Sequence, residues 1–212
     1  MRNNKRSFYS RIVRRFKLFM LVIYQKIRVL KYRILSDSQS FNSLAHCHQP
    51  VLMTGLGKIS LGKCNLGVWP SPYYLSGYIH IEARDIESEV VIEDGVWISN
   101  NACIIAERTR VKIGKNTIIG TDFTVYDSDF HETHPTKRFS GQHQTSAVEI
   151  GENVFIGSRV TVLKGVKIGD NCVIASGAVV TQTMPCNCVI AGVPARVIKR
   201  LQSTDCFTDD LH

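Results

Sequence analysis

The sequence has no hydrophobic run long enough to cross a membrane. Its longest uninterrupted apolar stretch is the seven residues of 18–24, whereas a membrane-spanning helix needs about 20. A secretory signal peptide is also a poor fit, because basic residues continue through and beyond that stretch and no small-residue cleavage site follows. We therefore expect a cytoplasmic protein.

Paired cysteines at metal or redox spacing are also absent. The seven cysteines include no CxxC motif, and an odd number without a secretion signal predicts reduced thiols. The one cluster of metal-binding residue types is His46-Cys47-His48. Adjacent residues of an extended chain point to opposite sides, and no second ligand group follows at a zinc-type spacing. No metal is expected.

Acidic residues are missing from the first 36 positions. That segment holds 11 of the 26 Lys and Arg residues, so the remaining 176 residues carry 15 basic against 18 acidic side chains. The 176 residues after position 36 therefore lack the net positive charge that is typical of a nucleic-acid-binding domain. Nucleic-acid binding would depend on residues 1–36 alone, which contain no recognition motif, and it is not expected.

Proline and glycine are absent from residues 7–35, where apolar residues recur at steps of three, four and seven. This spacing places them on one helical face with cations beside it, so residues 1–36 are predicted to form a basic amphipathic helix. The helix either rests on an anionic membrane surface, which would make the protein peripheral on the inner face of the cytoplasmic membrane, or caps the end of a solenoid. The apolar positions are Phe8, Ile12, Val13, Phe16, Phe19, Met20, Ile23, Ile27, Leu30 and Ile34.

An aliphatic residue recurs at every sixth position in the second half of the chain. A period of six is neither 3.6 nor 2, so it indicates an internal repeat. Short strands turned by Gly, Asn and Asp would stack as triangular coils around a continuous apolar column; an ordinary buried sheet with glycine turns is the alternative. The repeated positions are Ile150, Ile156, Val162, Ile168, Ile174 and Val180, with Val154, Val160, Val166, Cys172 and Ala178 in a second row.

The repeat divides the rest of the chain. Residues 37–77 are irregular, with at most a degenerate first coil near Ile59 and Leu61. Regular coils are predicted for 78–202, with a three-residue slip of phase at 107–110 and a loop at 126–147 that leaves the pattern. Residues 195–202 are expected to form a short basic helix, and the polar residues 203–212 a tail.

The hexads, the Ile-Gly-x-Asn turns and the closing residues 191–198 (AGVPARVI) resemble the left-handed β-helix acyltransferases. The similarity is to the maltose and galactoside acetyltransferase-like branch, which includes many surface-polysaccharide O-acetyltransferases, and it covers 78–201. It implies an all-β fold, a left-handed parallel β-helix, assembled as a homotrimer with active sites at subunit boundaries. It also implies acetyl-CoA as acyl donor and a saccharide acceptor.

Acyl transfer to a hydroxyl needs a base, and histidine suits that task near neutral pH. The loop contains His131, His134 and His143. His131 is nearest to the point where the chain leaves the coil, and it falls where the family's catalytic histidine does. We predict His131 as general base, with His134 next. The alternative is a solvent-facing loop histidine with no role.

A second group must orient the imidazole of His131. Asp127, Asp129 and Glu132 are candidates, and in the family a backbone carbonyl can serve instead; we include Asp129 in the predicted catalytic set. The family often carries an asparagine that touches the acceptor sugar, and Asn101 is the matching position. Asn101 is equally explained as a corner residue with positive φ.

The predicted donor site comes from the resemblance. Arg196 and Lys199 suit the phosphates of the cofactor, and small residues would let its pantetheine arm approach the backbone. Gln182 replaces a frequent lysine and Phe155 a common tryptophan, which bears on substrate choice. The six predicted donor-binding residues are Ser158, Ser176, Thr181, Gln182, Arg196 and Lys199.

The sequence therefore predicts an acetyl-CoA-dependent O-acetyltransferase acting on a sugar hydroxyl of a surface polysaccharide or its precursor. Serine or an amino sugar is the alternative acceptor. The alternative from another class is a membrane-docked β-helix without catalytic activity, which would not bind acetyl-CoA.

Overall fold

The computed structural model describes residues 2–38 and 40–201, and the side chains of 10–38 and 42–201. The tail at 203–212, with Cys206, lies outside the described residues. The chain begins with one long helix, α1 (Arg2–Leu35), as the apolar periodicity predicts. No helix within the described ranges has both the length and the apolarity that a membrane crossing requires.

Three sheets, here named A, B and C, follow the helix; each of six coils supplies one strand to each sheet, and two further strands extend sheet B. Sheet A contains β1 (Ser40–Ser43), β4 (Lys58–Leu61), β7 (Glu89–Ile92), β10 (Arg110–Ile113), β13 (Val148–Ile150) and β16 (Lys167–Ile168). Sheet B contains β2 (His46–Cys47), β5 (Asn65–Leu66), β8 (Trp97–Ile98), β11 (Ile118–Ile119), β14 (Phe155–Ile156), β17 (Val173–Ile174), β19 (Cys188–Gly192) and β20 (Ala195–Arg200). Sheet C contains β3 (Val51–Thr54), β6 (Ile79–Ala83), β9 (Cys103–Ala106), β12 (Thr124–Tyr126), β15 (Thr161–Val162) and β18 (Val179–Val180).

The hexad positions form the core of this three-sided prism. Ile150 pairs in register with Ile168, and Ile156 with Ile174, so each inward side chain lies directly over its equivalent one coil away. All six residues of the first hexad row are at most 3% exposed. The parallel, coiled arrangement confirms the stacked-coil prediction over the ordinary sheet. Continuous burial of this kind is what holds a solenoid together.

The corners of the coils explain the asparagines and glycines of the repeat. Asn153 and Asn171 have φ near +55°, which asparagine adopts more readily than most residues. The Asn153 amide donates to Asn171 Oδ1 at 2.8 Å, which continues the ladder from coil to coil. At Gly157 a Cβ would lie 2.6 Å from the Ser176 nitrogen, so a side chain there would force the coils apart.

The solenoid starts earlier than the sequence pattern predicts. Strands β1 to β5 all fall within 37–77 and belong to the same three sheets as the later coils. Ile59 and Leu61 are buried, as expected for a degenerate coil. The pattern is obscured because residues 67–78 leave the coil between β5 and β6, which shifts the phase of the repeat.

The predicted C-terminal helix is wrong. Residues 195–200 form strand β20, which runs antiparallel to β19 along the edge of sheet B. The β-branched Val197 and Ile198 favour an extended chain, and β19 offers an unpaired strand edge for them. Gly192, with φ of +102°, precedes the turn that reverses the chain direction.

We predict that the hexad column carries the stability of the fold. Ile156 is fully buried in β14, so Ile156→Ala leaves a cavity and should lower the free energy of unfolding by about 2–5 kcal/mol in urea denaturation. The control Ile86→Ala removes a side chain that is 75% exposed and should change it by less than about 0.5 kcal/mol. Equal losses in the two variants would contradict the column as the core.

Candidate functional site

The loop at 127–147 leaves the prism at the edge between sheets C and A, after β12 and before β13. Its first residue, Asp127, is fully buried. The Asp127 carboxylate accepts hydrogen bonds from the backbone nitrogens of Glu107, Arg108 and Thr109 and from the Thr109 hydroxyl, at 2.6–3.2 Å. These bonds join the first residue of the loop to residues 107–109, one coil earlier, where the hexapeptide repeat shifts by three residues.

A second buried carboxylate holds the other end of the loop. Glu107 accepts hydrogen bonds from the Ser128 hydroxyl and from His143 Nε2, the latter at 2.6 Å. The Arg84 guanidinium lies 3.8 Å from the same carboxylate. Burial raises the pKa of the Glu107 carboxyl, but the hydrogen bonds from Ser128 and His143 lower it more, so the pKa lies below its usual value.

His131 is exposed on this loop. Its Nδ1 lies 3.1 Å from the carbonyl oxygen of Arg138, which can only accept a hydrogen bond. The proton of the neutral ring is therefore assigned to Nδ1, and Nε2 is left with a free lone pair. The Phe139 ring packs edge-on against the imidazole, with centroids 6.1 Å apart. An imidazole held in this tautomer can accept a proton at Nε2.

The orienting group is a backbone carbonyl, and the carboxylates considered in the sequence are used elsewhere. Asp129 lies 3.2 Å from Lys164 Nζ, and Glu132 accepts from the Thr133 backbone and hydroxyl. Asp129 reaches His131 through its backbone, since the Asp129 carbonyl accepts from the His131 nitrogen at 2.7 Å. Asp129 therefore supports the loop rather than the imidazole.

His134 and His143 have different surroundings from His131. The Thr136 hydroxyl and His134 Nδ1 are hydrogen-bonded at 2.9 Å, on an exposed part of the loop. The His143 side chain is 5% exposed and is bonded to Glu107. Its burial makes His143 a structural group of the loop.

Asn101 lies at a different edge, between sheets B and C, just before β9. Its φ is +64°, and its amide donates to Asp122 at 2.9 Å, so it forms a corner of the coil. The neighbouring Asn100 is fully buried and its amide binds the carbonyl oxygens of Val68 and Pro72. Within one protomer, sheet C separates Asn101 from His131.

The predicted donor residues occupy three places. Ser158 and Ser176 lie one above the other at the edge between sheets B and C, with the Ser158 nitrogen donating to Ser176 Oγ at 3.2 Å. Thr181 and Gln182 follow β18, at the same edge as the His131 loop. Arg196 and Lys199 are exposed on β20, and Arg196 Nη1 donates to the Ala195 carbonyl at 2.8 Å.

Sequence reasoning missed the residues that hold the loop: Glu107 as a buried anchor, Lys164 as the partner of Asp129 and Arg138 as the partner of His131. Both interruptions of the repeat, at 107–110 and 126–147, are visible in the sequence. The hydrogen bonds that join these two segments are not visible in the sequence, because the sequence does not show which glutamate is buried. Across the residues that the structure describes, no group of three His, Cys, Asp or Glu is placed to hold a metal ion.

We predict that the Glu107 anchor is acid-sensitive. Because the pKa of Glu107 is lowered in the folded protein, its stabilising effect is complete above the ordinary glutamate pKa of about 4.3 and is lost as pH falls through the lower folded value. Glu107→Gln should lower the free energy of unfolding by about 1–3 kcal/mol at neutral pH, and the difference from wild type should shrink across that acid range. The measurement is urea denaturation at a series of pH values.

The exposed Glu87 provides the control for this experiment. Glu87→Gln should match the wild type at every pH. A Glu107→Gln deficit that persists unchanged into the acid range would show that the carboxylate charge does not anchor the loop.

Comparison with known proteins supports the hexapeptide repeat that the sequence predicts. Residues 147–182 match the family model of the bacterial transferase hexapeptide (six repeats). Over 118 residues the chain is 38% identical to the galactoside O-acetyltransferase of Escherichia coli K12, a match that covers 56% of this chain and 57% of the relative. It is 34% identical over 119 residues to WbbJ of the same strain, a protein named for O-acetyl transfer in lipopolysaccharide biosynthesis, with 52% and 60% covered.

The fold is shared with solved structures. The hexapeptide-repeat acetyltransferase VCA0836 of Vibrio cholerae, crystallised with acetyl coenzyme A, superposes with a TM-score of 0.52 over 88% of this chain and 90% of that chain, at 18% identity. At this identity the likeness concerns the fold alone. The chain spans less than two thirds of the length of the relatives that it matches in sequence. Residues 147–182 thus match the bacterial transferase hexapeptide repeats, and over about half of its length the chain is similar to the galactoside O-acetyltransferases.

Proposed function

We propose that the protein is an acetyl-CoA-dependent O-acetyltransferase that modifies a sugar hydroxyl of a surface polysaccharide or its precursor. The observation that carries the proposal is the contact of His131 Nδ1 with the Arg138 carbonyl at 3.1 Å, on an exposed loop at the edge of the prism. It leaves Nε2 as the basic atom of an exposed imidazole. Sequence similarity to galactoside O-acetyltransferases supports the reaction class.

In the proposed reaction His131 acts as general base. As the acceptor oxygen attacks the thioester carbonyl carbon, Nε2 takes the hydroxyl proton. The carbon–sulfur bond then breaks, and the imidazolium returns the proton to the departing thiolate, so that the products are the acetyl ester and free coenzyme A. The Arg138 carbonyl stabilises the imidazolium through Nδ1–H, as a carboxylate does in other triads. Asp129 contributes by holding the loop through Lys164.

The donor would bind along the last coils. Arg196 and Lys199 are exposed cations on β20, and they suit the phosphate groups of acetyl-CoA. At Gly177 a Cβ would meet no atom within 4 Å, which leaves open space beside Ser176 for the pantetheine arm. Ser158, Thr181 and Gln182 complete the proposed donor site. Acetyl coenzyme A is bound in the structure of VCA0836, which has the same fold.

A complete site would need more than one copy of the chain. His131 and Asn101 lie at opposite edges of sheet C, so one protomer cannot place both on the same acceptor. The outer face of sheet B carries Trp97, Ile118 and Phe155 in one registered column, each 44–53% exposed. An apolar column of this kind suits a contact between copies. We infer a homotrimer of left-handed coils with sites between neighbours, as the family resemblance implies.

The names of the relatives support the proposed acceptor class. WbbJ is named for lipopolysaccharide biosynthesis, and the galactoside O-acetyltransferases are named for a sugar acceptor. Thiol release with a panel of oligosaccharide, serine and amino-sugar acceptors would compare the candidates directly. Transfer to serine in preference to every saccharide would refute the proposed acceptor.

We predict that His131→Ala lowers kcat by about 10²–10⁴-fold because the general base is lost. The affinity for acetyl-CoA, measured by calorimetry, should be unchanged. His134→Ala provides the comparison, since His134 lies in the same loop without the Arg138 contact, and it should retain most of the activity. Full turnover by the His131→Ala variant would refute the mechanism.

We predict that Arg196→Ala raises the KM for acetyl-CoA by about 10-fold to 100-fold, the effect of one charge-assisted hydrogen bond, with little change in the KM for the acceptor. The matched control is Arg200→Ala, which removes the same charge from the same strand. Equal effects of the two substitutions would indicate a general attraction by positive charge in place of a specific contact.

A further inference from the structure

Helix α1 has two different faces, and among the described residues one of them is hydrogen-bonded to the rest of the chain. Gln25 is 4% exposed, and its amide donates to the Tyr74 carbonyl at 2.7 Å. Arg28 binds the Tyr74 and Gly77 carbonyls at 2.9 and 2.7 Å, and the Tyr32 ring packs on Tyr78 with centroids 4.9 Å apart. One side of the helix is therefore fastened to the segment 67–78.

The segment 67–78 is itself held by buried polar groups. Asn100 binds the carbonyls of Val68 and Pro72, and the Gln49 amide binds those of Tyr73 and Gly77. Each of these amides belongs to the coils of the prism. The helix is thus attached to the solenoid through a rigid support, and its orientation is set by the fold.

The opposite face of α1 is an apolar stripe, defined here by Ile12, Phe16, Phe19, Ile23, Ile27 and Ile34. An α-helix turns by about 100° per residue, so these positions fall within about one third of the circumference. Gln25 and Tyr32 lie on the other side. Every residue of the stripe is exposed, with Phe16 and Ile27 each at 62%. A contiguous line of six exposed large apolar side chains is typical of an interaction surface.

The charges beside the stripe identify that partner. By the same helical periodicity Lys26 lies about 20° beyond one edge of the stripe and Lys31 about 40° beyond the other, with Lys17 about 40° further round on the Lys31 side. Residues 1–36 contain no Asp or Glu. A second copy of the helix packed on the stripe would bring these like charges together, which is unfavourable. A surface that is apolar inside and anionic outside satisfies both the stripe and its flanks.

We propose that α1 binds the surface of an anionic phospholipid membrane, lying parallel to it with the stripe from Ile12 to Ile34 in the acyl boundary. The helix of 34 residues is about 50 Å long. It lies on the membrane and does not cross it, since α1 lacks the apolarity of a spanning helix. The support at 67–78 then keeps the prism in a defined orientation at the surface.

This inference is independent of acetyl transfer, and its test needs no substrate. The full chain is mixed with phosphatidylcholine vesicles or with vesicles of phosphatidylcholine and phosphatidylglycerol, and the bound fraction is measured by co-sedimentation. The wild type should bind the anionic vesicles and bind phosphatidylcholine alone at least about tenfold more weakly. High salt should weaken binding to the anionic vesicles.

Two triple variants test the two parts of the surface. Phe16→Gln, Phe19→Gln and Ile27→Gln together remove three apolar anchors and should reduce vesicle binding by at least about a hundredfold. Lys17→Gln, Lys26→Gln and Lys31→Gln together should reduce it by about tenfold to a hundredfold on anionic vesicles only. All six side chains are exposed, so the fold should persist, which circular dichroism and thermal unfolding would verify.

A matched control changes three exposed apolar residues away from the helix. The triple variant Leu44→Gln, Leu56→Gln and Ile86→Gln should bind vesicles as the wild type does. The inference is overturned if the wild type does not bind anionic vesicles, or if the stripe variant binds them as tightly as the control. It is equally overturned if the stripe variant binds vesicles normally but loses a self-association seen by light scattering, because the stripe would then be a contact between copies.

Discussion

Backbone hydrogen bonding between successive coils is the constraint from which the rest of the structure follows. Because the strands pair in register, each residue of one coil lies over its equivalent in the next, as Ile150 does over Ile168. An inward position must therefore be apolar in every coil, and a corner must turn the same way each time. The ladder of Asn153 and Asn171 and the close approach at Gly157 are consequences of this one requirement.

The same constraint decides where the chain can depart from the repeat. An insertion within a strand would break the ladder on both of its sides, and the excursions at 67–78, 107–109 and 127–147 leave from edges of the prism. Each is held by buried polar side chains: Asn100 for the first, Asp127 for the second and Glu107 for the third. A buried carboxylate or amide is costly unless it is fully bonded, so these hydrogen bonds fix where each excursion is attached to the coils. The general base proposed above and the support for α1 both depend on those attachments.

Basic and acidic side chains are unevenly distributed between the helix and the prism. Residues 1–36 are basic, whereas the remaining part carries slightly more acidic than basic side chains. The prism pairs its charges locally, for example Lys58 with Glu89 and Lys112 with Glu93. The helix uses Arg28 for its attachment and presents other cations beside its apolar stripe. The excess of positive charge thus belongs to one element, the helix.

The sequence alone determined the stacked coils, the helix of the first 35 residues and the loop that carries His131, because each of these follows from a local period or from its interruption. It did not show that the coils begin at β1, since the excursion at 67–78 shifts the phase, and it indicated a helix where β20 pairs with the edge of β19. Only the tertiary structure decided that the Arg138 carbonyl orients His131, that Glu107 and His143 meet inside the loop, and that Gln25 faces the prism while Phe16 faces away. The contacts of Glu107 with His143 and of Gln25 with Tyr74 join residues 36 and 49 positions apart in the chain, and their burial is a property of the assembled coils. The contact of His131 with Arg138 spans only seven positions, but it depends on the course of the loop, which no repeat pattern specifies.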